Sequence, residues 1–236
     1  MPIEAIKTIG LIGGMSWESS IEYYRILNQS IRAHLGGLHS AKIIMFSVDF
    51  ADIAAMQHAE HWSDLTDILV EASQKLQMAG ASMVLICANT MHRLADDIEA
   101  RISIPLLHIA DTAADQISAQ GLTRVGLLGT KFTMEEDFYR QRLLNRHGLE
   151  VLVPDLPERD ALHRIIYDEL CQGQFGAESR QTVLNLCQHL VSAGAEGIIL
   201  GCTELELLVG DATAAVPLFP TTRIHAEAAV NLALGL

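Results

Sequence analysis

The chain has 236 residues, half of them apolar, and a formal net charge of -13, which allows one large or two small packed domains and excludes a surface for nucleic acid or anionic membrane. No apolar stretch reaches the roughly 18 residues of a membrane span, and Met1-Pro2-Ile3-Glu4 lacks the charged and apolar regions of a signal peptide, so a cytoplasmic protein is expected. Four irregularly spaced cysteines, Cys87, Cys171, Cys187 and Cys202, with no CxxC pair, read as reduced thiols rather than a disulfide or zinc framework.

In chain order, Thr8 to Ile12 is a short apolar strand ended by Gly13-Gly14-Met15-Ser16, and Trp17 to Leu35 has helical spacing through Ile21, Tyr24, Leu27, Ile31 and Leu35. Ala41 to Val48 reads as a second strand, Asp64 to Met78 as a helix and Met83 to Cys87 as a third strand. Helix His92 to Ala100, strand Pro105 to Ile109 and helix Thr112 to Ala119 continue the alternation. The later part predicts strand Arg124 to Gly129, helix Met134 to Arg146, strand Glu150 to Val153, helices Asp160 to Cys171 and Glu178 to Ala193, strand Gly197 to Gly201 and a last helix Ile224 to Leu234.

Three segments recur. Thr8-Ile9-Gly10-Leu11-Ile12-Gly13-Gly14 returns as Arg124-Val125-Gly126-Leu127-Leu128-Gly129-Thr130, Gly80 to Thr90 as Gly194 to Glu204, and Ile104-Pro105-Leu106-Leu107 as Val216-Pro217-Leu218-Phe219. All share an offset of about 112 to 116 residues, too long for a solenoid and suited to a duplicated α/β unit. The expected fold is α/β, with two similar Rossmann-like domains related by a pseudo-twofold axis, 1–114 plus 210–236 and 115–209. Ligands of parallel sheets bind beyond the carboxyl ends of the strands, so the site is expected in the cleft between the domains.

Chemistry concentrates at those ends. Cys202 follows a buried strand and precedes polar residues, a setting for a thiolate base, although a small buried core residue is the alternative. In the repeat register Cys202 matches Ala88, and strand alternation turns the neighbouring Cys87 to the other face, so Cys87 is the weaker candidate. Asn89, Thr90 and Thr203 suit either ligand binding or helix capping, and Glu204 stands near enough to tune Cys202. Thr130, Lys131 and Thr133 offer donors for an anion, but fall short of a phosphate-binding loop, and Gly13-Gly14-Met15-Ser16 lacks a full GxGxxG. Ten histidines show no metal spacing, and His92 and His225 read equally as structural.

The motifs Gly-Leu-Ile-Gly-Gly-Met-Ser-Trp at 10 to 17, Asn-Thr-Met-His at 89 to 92, Leu-Leu-Gly-Thr at 127 to 130 and Gly-Cys-Thr-Glu at 201 to 204, with Ser47 to Phe50 and Ile224 to Glu227, resemble the aspartate/glutamate racemase family over essentially the whole chain. The resemblance implies a racemase that needs no cofactor such as pyridoxal phosphate and no metal. One residue would remove the α-proton of an amino acid, and a second would return a proton on the opposite face. It implies Cys202 as the base acting on the L-enantiomer, with Met15, Ser16, Gln57, Asn89, Thr90, Thr130, Lys131, Thr133, Thr203 and Glu204 around a small amino-acid or dicarboxylate substrate. A homodimer is expected as the commonest assembly.

Two departures from the family stand out. Ala88 occupies the position of the opposite-face acid/base and carries no titratable group; water, Cys87 or a nearby hydroxyl is left to substitute. No arginine follows the second strand, and Cys171 stands where many members have lysine, so aspartate and glutamate are both admitted as substrates. The alternatives are an impaired or engineered variant that binds an amino acid or dicarboxylate without turnover, and another carbon-acid reaction of the superfamily.

Overall fold

The structure, a computed structural model, describes residues 6–210 and 215–236. The residues read for a signal peptide, 1–4, lie outside that set, as does part of the segment 210–236 assigned to the first domain. By its contacts the chain divides into two compact units, 1–108 with 225–236, and 109–224.

The first unit is built on a parallel sheet of β1 (Ile9–Gly13), β2 (Ile43–Ser47) and β3 (Met83–Ile86), in the order β2-β1-β3. Side chains alternate across it, as period-two geometry demands. Ile9, Leu11, Met83, Leu85 and Cys87 pack on one face against α1 (Trp17–Leu35) and the later Ala226, Ala229 and Val230. Ile12, Val84 and Ile86 pack on the other against α3 (Trp62–Met78), and Ile53 of α2 (Phe50–His58) joins the same cluster. The second face also holds Ala88.

The second unit repeats the plan. Its sheet runs β5-β4-β6-β7, all parallel, with β4 Arg124–Gly129, β5 Glu150–Leu152, β6 Gly197–Gly201 and β7 Leu218–Pro220. One core contains Val125, Leu127, Ile198, Ile199 and Phe219. The Ile-Pro-Leu-Leu repeat keeps its hydrogen bonds in both copies: Val84 N–H donates to Pro105 O at 2.9 Å and Ile198 N–H to Pro217 O at 2.9 Å. In the first copy the pairing goes no further than an isolated bridge, Val84 to Leu106.

Several local expectations change. The strand at 105–109 is that single bridge, and helix α5 starts directly after it (Ile109–Ala119). Helix 92–100 is a tight 3-10 turn, Thr90–Leu94, followed by α4, Ala95–Glu99. The helix expected at 134–146 is two, α6 (Lys131–Glu135) and α7 (Asp137–His147), separated by the extended Glu136; acidic Asp137 then suits the new N-terminus. The helix 160–171 is α8 (Leu156–Arg164), one π turn (Ile165–Glu169) and a 3-10 turn (Leu170–Gln172). Helix α2 has no counterpart in the sequence reading. The remaining helices are α9 (Ala177–Ser192), α10 (Thr203–Val209) and α11 (Thr221–Leu234). Because β7 pairs with β6, the described residues of 210–224, read from sequence as first-domain, belong to the second unit, as do 109–114.

No helix of the described residues is long and apolar enough to cross a membrane.

Candidate active site

The sequence-derived site residues fall at the carboxyl ends of the two sheets. In the first unit, β1 ends in a turn that only glycine can make. Gly14 has φ +90, and a Cβ there would lie 2.2 Å from Val48 O. Gly14 N–H donates to Ser20 Oγ at 2.8 Å, and Ser16 caps α1 through Ser19 N–H at 3.4 Å. Met15 and Ser16 are buried. Ser19 Oγ donates to Cys87 O at 3.1 Å, tying the end of β3 to α1.

Cys87 itself is fully buried in the sheet core on the α1 face, and burial pushes its thiol far above the ordinary cysteine range. Such a thiol is packing material. The next residue, Ala88, exposes its backbone carbonyl to His92 Nδ1, 2.8 Å away. Behind that bond lie three imidazoles, His92 against His108 (4.7 Å between ring centres) and against His225 (5.6 Å). His225 has both nitrogens engaged, Nδ1 with Tyr23 Oη at 2.7 Å and Nε2 with Leu107 O at 2.8 Å. Burial, then the neighbouring His92, push its pKa down to about 3. Asn89 and Thr90 are buried at the start of the 3-10 turn, and Gln57 Nε2 contacts Met91 Sδ at 3.0 Å.

In the second unit, Thr130 caps α6 through Thr133 N–H at 3.4 Å and pairs with the Thr133 hydroxyl at 3.2 Å. Lys131 Nζ is bound to Asp160 Oδ1 at 2.6 Å, and its backbone N–H meets His163 Nδ1 at 3.3 Å. Cys202 leaves β6 with extended backbone and stands at the N-cap position of α10, where its side chain makes no capping hydrogen bond. Its Sγ donates to Glu204 Oε2 at 2.9 Å. Glu204 is only 3% exposed and has a second thiol, Cys171 Sγ, 4.0 Å from Oε1. Thr203 Oγ1 pairs with Thr222 Oγ1, and Thr221 Oγ1 donates to Leu200 O at 2.9 Å, fixing the strand end.

From sequence, the place of Cys202 between a buried strand and polar residues reads as a setting for a thiolate base. Local electrostatics oppose it: burial, then the Glu204 charge and Cys171, push the Cys202 thiol well above the ordinary range. Cys202 therefore rests protonated and needs an added positive charge or a proton acceptor to become a base.

Asp160, His163, Tyr167 and Cys171 were not recognised as one set. The last three are four residues apart and lie along one side of α8 and its π turn. The His163 and Tyr167 rings sit 4.7 Å apart, and the Tyr167 hydroxyl is raised by burial and by the acidic groups of Cys171, Cys202 and Glu204. The spacing was available in the sequence; the π turn that keeps it in register was not.

The sequence profile described as Asp/Glu/Hydantoin racemase matches residues 12–229. A Yersinia pestis crystal structure, provisionally assigned as an Asp/Glu racemase, is 53% identical, with a TM-score of 0.89 over 97% of this chain and 99% of that one. The Pyrococcus horikoshii aspartate racemase homologue is 35% identical, with a TM-score of 0.83 over 96% and 99%. Among curated proteins, the broad specificity amino-acid racemase RacX of Bacillus subtilis is 23% identical across 172 residues, 73% of this chain and 74% of that protein.

Proposed function

The chain belongs to the Asp/Glu/hydantoin racemase family, and on that premise we propose that it is a pyridoxal-phosphate-independent amino-acid racemase that works from the L-enantiomer of aspartate or glutamate, with Cys202 as the base. The observation that carries this reading is the Cys202 thiol at the end of β6, 2.9 Å from a buried carboxylate.

The physical difficulty is a thiol that rests protonated beside an anion. An amino acid brings its own remedy. Its α-ammonium offsets the Glu204 charge, so that Cys202, partly exposed, releases its proton to solvent as the thiolate forms. The thiolate then removes the α-proton, and the electron pair left on the α-carbon delocalises into the substrate carboxylate. That growing charge calls for hydrogen-bond donors, and Thr130, Thr133 and Thr203, on the unit that carries Cys202, are the residues assigned to supply them. Lys131 is paired with Asp160 at 2.6 Å, which offsets part of the charge it would offer a substrate carboxylate.

The return proton is the weak step, because Ala88 offers a methyl group where an acid is needed. Exchange of the α-proton should outrun inversion of configuration. A second reading, an amino-acid-binding protein without turnover, draws on the same alanine.

Both are tested by following the α-proton of L-aspartate and L-glutamate by NMR in heavy water. Loss of the signal supports the racemase reading. No exchange with either substrate, and none when Ala88 is replaced by threonine or cysteine, rejects it; ligand-dependent thermal stabilisation without exchange supports the binding reading.

A further inference from the structure

The mechanism above uses one thiol of the β6 end and leaves the second without a role. Cys171 lies on the 3-10 turn that follows the π turn, at the end of the His163, Tyr167, Cys171 face. Its Sγ is 4.0 Å from Glu204 Oε1, while Cys202 Sγ is 2.9 Å from Oε2. One buried carboxylate thus receives a thiol on each oxygen. We propose that Cys171 is a positioning residue for Cys202: by donating to the far oxygen of Glu204 it draws charge away from the near oxygen, and so sets the pH at which Cys202 gives up its proton.

The argument is electrostatic. Hydrogen bonds to the charged form of a carboxylate spread its charge, and at Glu204, only 3% exposed, each such bond counts for more. The upward push of Cys171 on Cys202 is coulombic and belongs to its thiolate form; burial and the Glu204 charge keep the Cys171 thiol protonated near neutral pH, so in that range it is a donor and not a second anion. Take the donor away and the whole carboxylate charge faces Cys202, which then resists ionising. A cysteine that only fills space at this position would leave the chemistry of Cys202 untouched.

The test is the rate at which iodoacetamide alkylates Cys202 in the full chain, followed peptide by peptide by mass spectrometry between pH 7 and 10 without substrate. Cys171→Ala is expected to slow Cys202 alkylation about three- to tenfold at pH 8, equivalent to a rise of half to one unit in its ionisation. Cys171→Ser, which keeps a donor, should stay within about twofold of the parent chain. In a Glu204→Gln background Cys171→Ala should change nothing, since the effect passes through the carboxylate. An unchanged or faster rate in Cys171→Ala, equal slowing by serine, or slowing that persists without Glu204 overturns the proposal. Cys171→Val and Cys171→Thr, matched in volume and differing in the donor, repeat the comparison if the alanine variant does not fold. The inference rests on the role given to Cys202, but alkylation needs no turnover. Intact coupling with no α-proton exchange refutes the racemase reading alone; exchange without coupling refutes this one alone.

Discussion

The two sheets end alike in backbone and unlike in chemistry. At the end of β6 the Cys202 thiol stands at the N-cap position of α10, beside Glu204, Cys171 and Tyr167. At the corresponding end of β3 stands a methyl group, Ala88, whose carbonyl is held by His92, and behind it lie His108 and His225. The comparison teaches that a duplicated scaffold keeps its hydrogen-bond frame, as the Val84 and Ile198 pairings do, while its reactive positions drift apart. An acid/base pair needs both positions; a frame needs neither.

The sharpest way to break the contrast is to make both ends inert. Cys202→Ala should lower α-proton exchange of the L-substrate by about 10³-fold, in the range expected for loss of a general base, measured by NMR in heavy water. An unchanged rate would place the base elsewhere. The reverse experiment makes both ends active. Ala88→Thr or Ala88→Cys should raise the yield of D-enantiomer relative to α-proton exchange by roughly 10- to 100-fold, read by chiral chromatography of the same reaction. Gain of inversion with exchange held level would identify residue 88 as the second hand.

A smaller effect sharpens the acidic side of the comparison. Since the Glu204 charge is one cause of the raised Cys202 ionisation, Glu204→Gln removes it and should bring thiolate formation to lower pH. Alkylation of Cys202 at pH 8 is expected to accelerate about tenfold, one unit of ionisation; slower alkylation would contradict the assigned cause.

How far these ends could be read from sequence differs between them. The strands were legible because β3 and β6 are apolar runs that follow the turn glycines Gly80 and Gly194, both at positive φ, and the duplication was legible because Gly10 and Gly13 recur as Gly126 and Gly129. Cys202 and Ala88 were found by aligning the copies. What escaped was decided through space. Lys131 is bound to Asp160, 29 residues on, and Cys171 meets Glu204, 33 residues on; no local period announces either. The π turn shifts a helix face by one residue without any proline or glycine to mark it, and α2 follows a strand closely, its start marked by the Asp49 cap (Ala51 N–H to Oδ1, 3.0 Å) and Asp52 in the first turn.

The smallest effect near neutral pH concerns the imidazole side. His225 is held neutral by burial, its pKa pushed to about 3, whereas unfolded histidine titrates near 6.5. Between those values the unfolded chain binds the extra proton, so stability is complete above about pH 6.5 and falls as the pH drops toward 3. The slope is on the order of 1.4 kcal/mol per pH unit for one such group, which from pH 7 to 6 amounts to little and by pH 5 to a measurable loss. The second unit lacks a buried histidine of this kind among its described residues, and its thiols are already protonated. Hydrogen exchange should therefore quicken on acidification in β1, β3 and the 225–234 part of α11 before it does in β4 and β6. His225→Gln, which cannot gain the proton, should flatten that difference. Equal acid sensitivity of the two units in the parent chain would separate the imidazole cluster from any stabilising role.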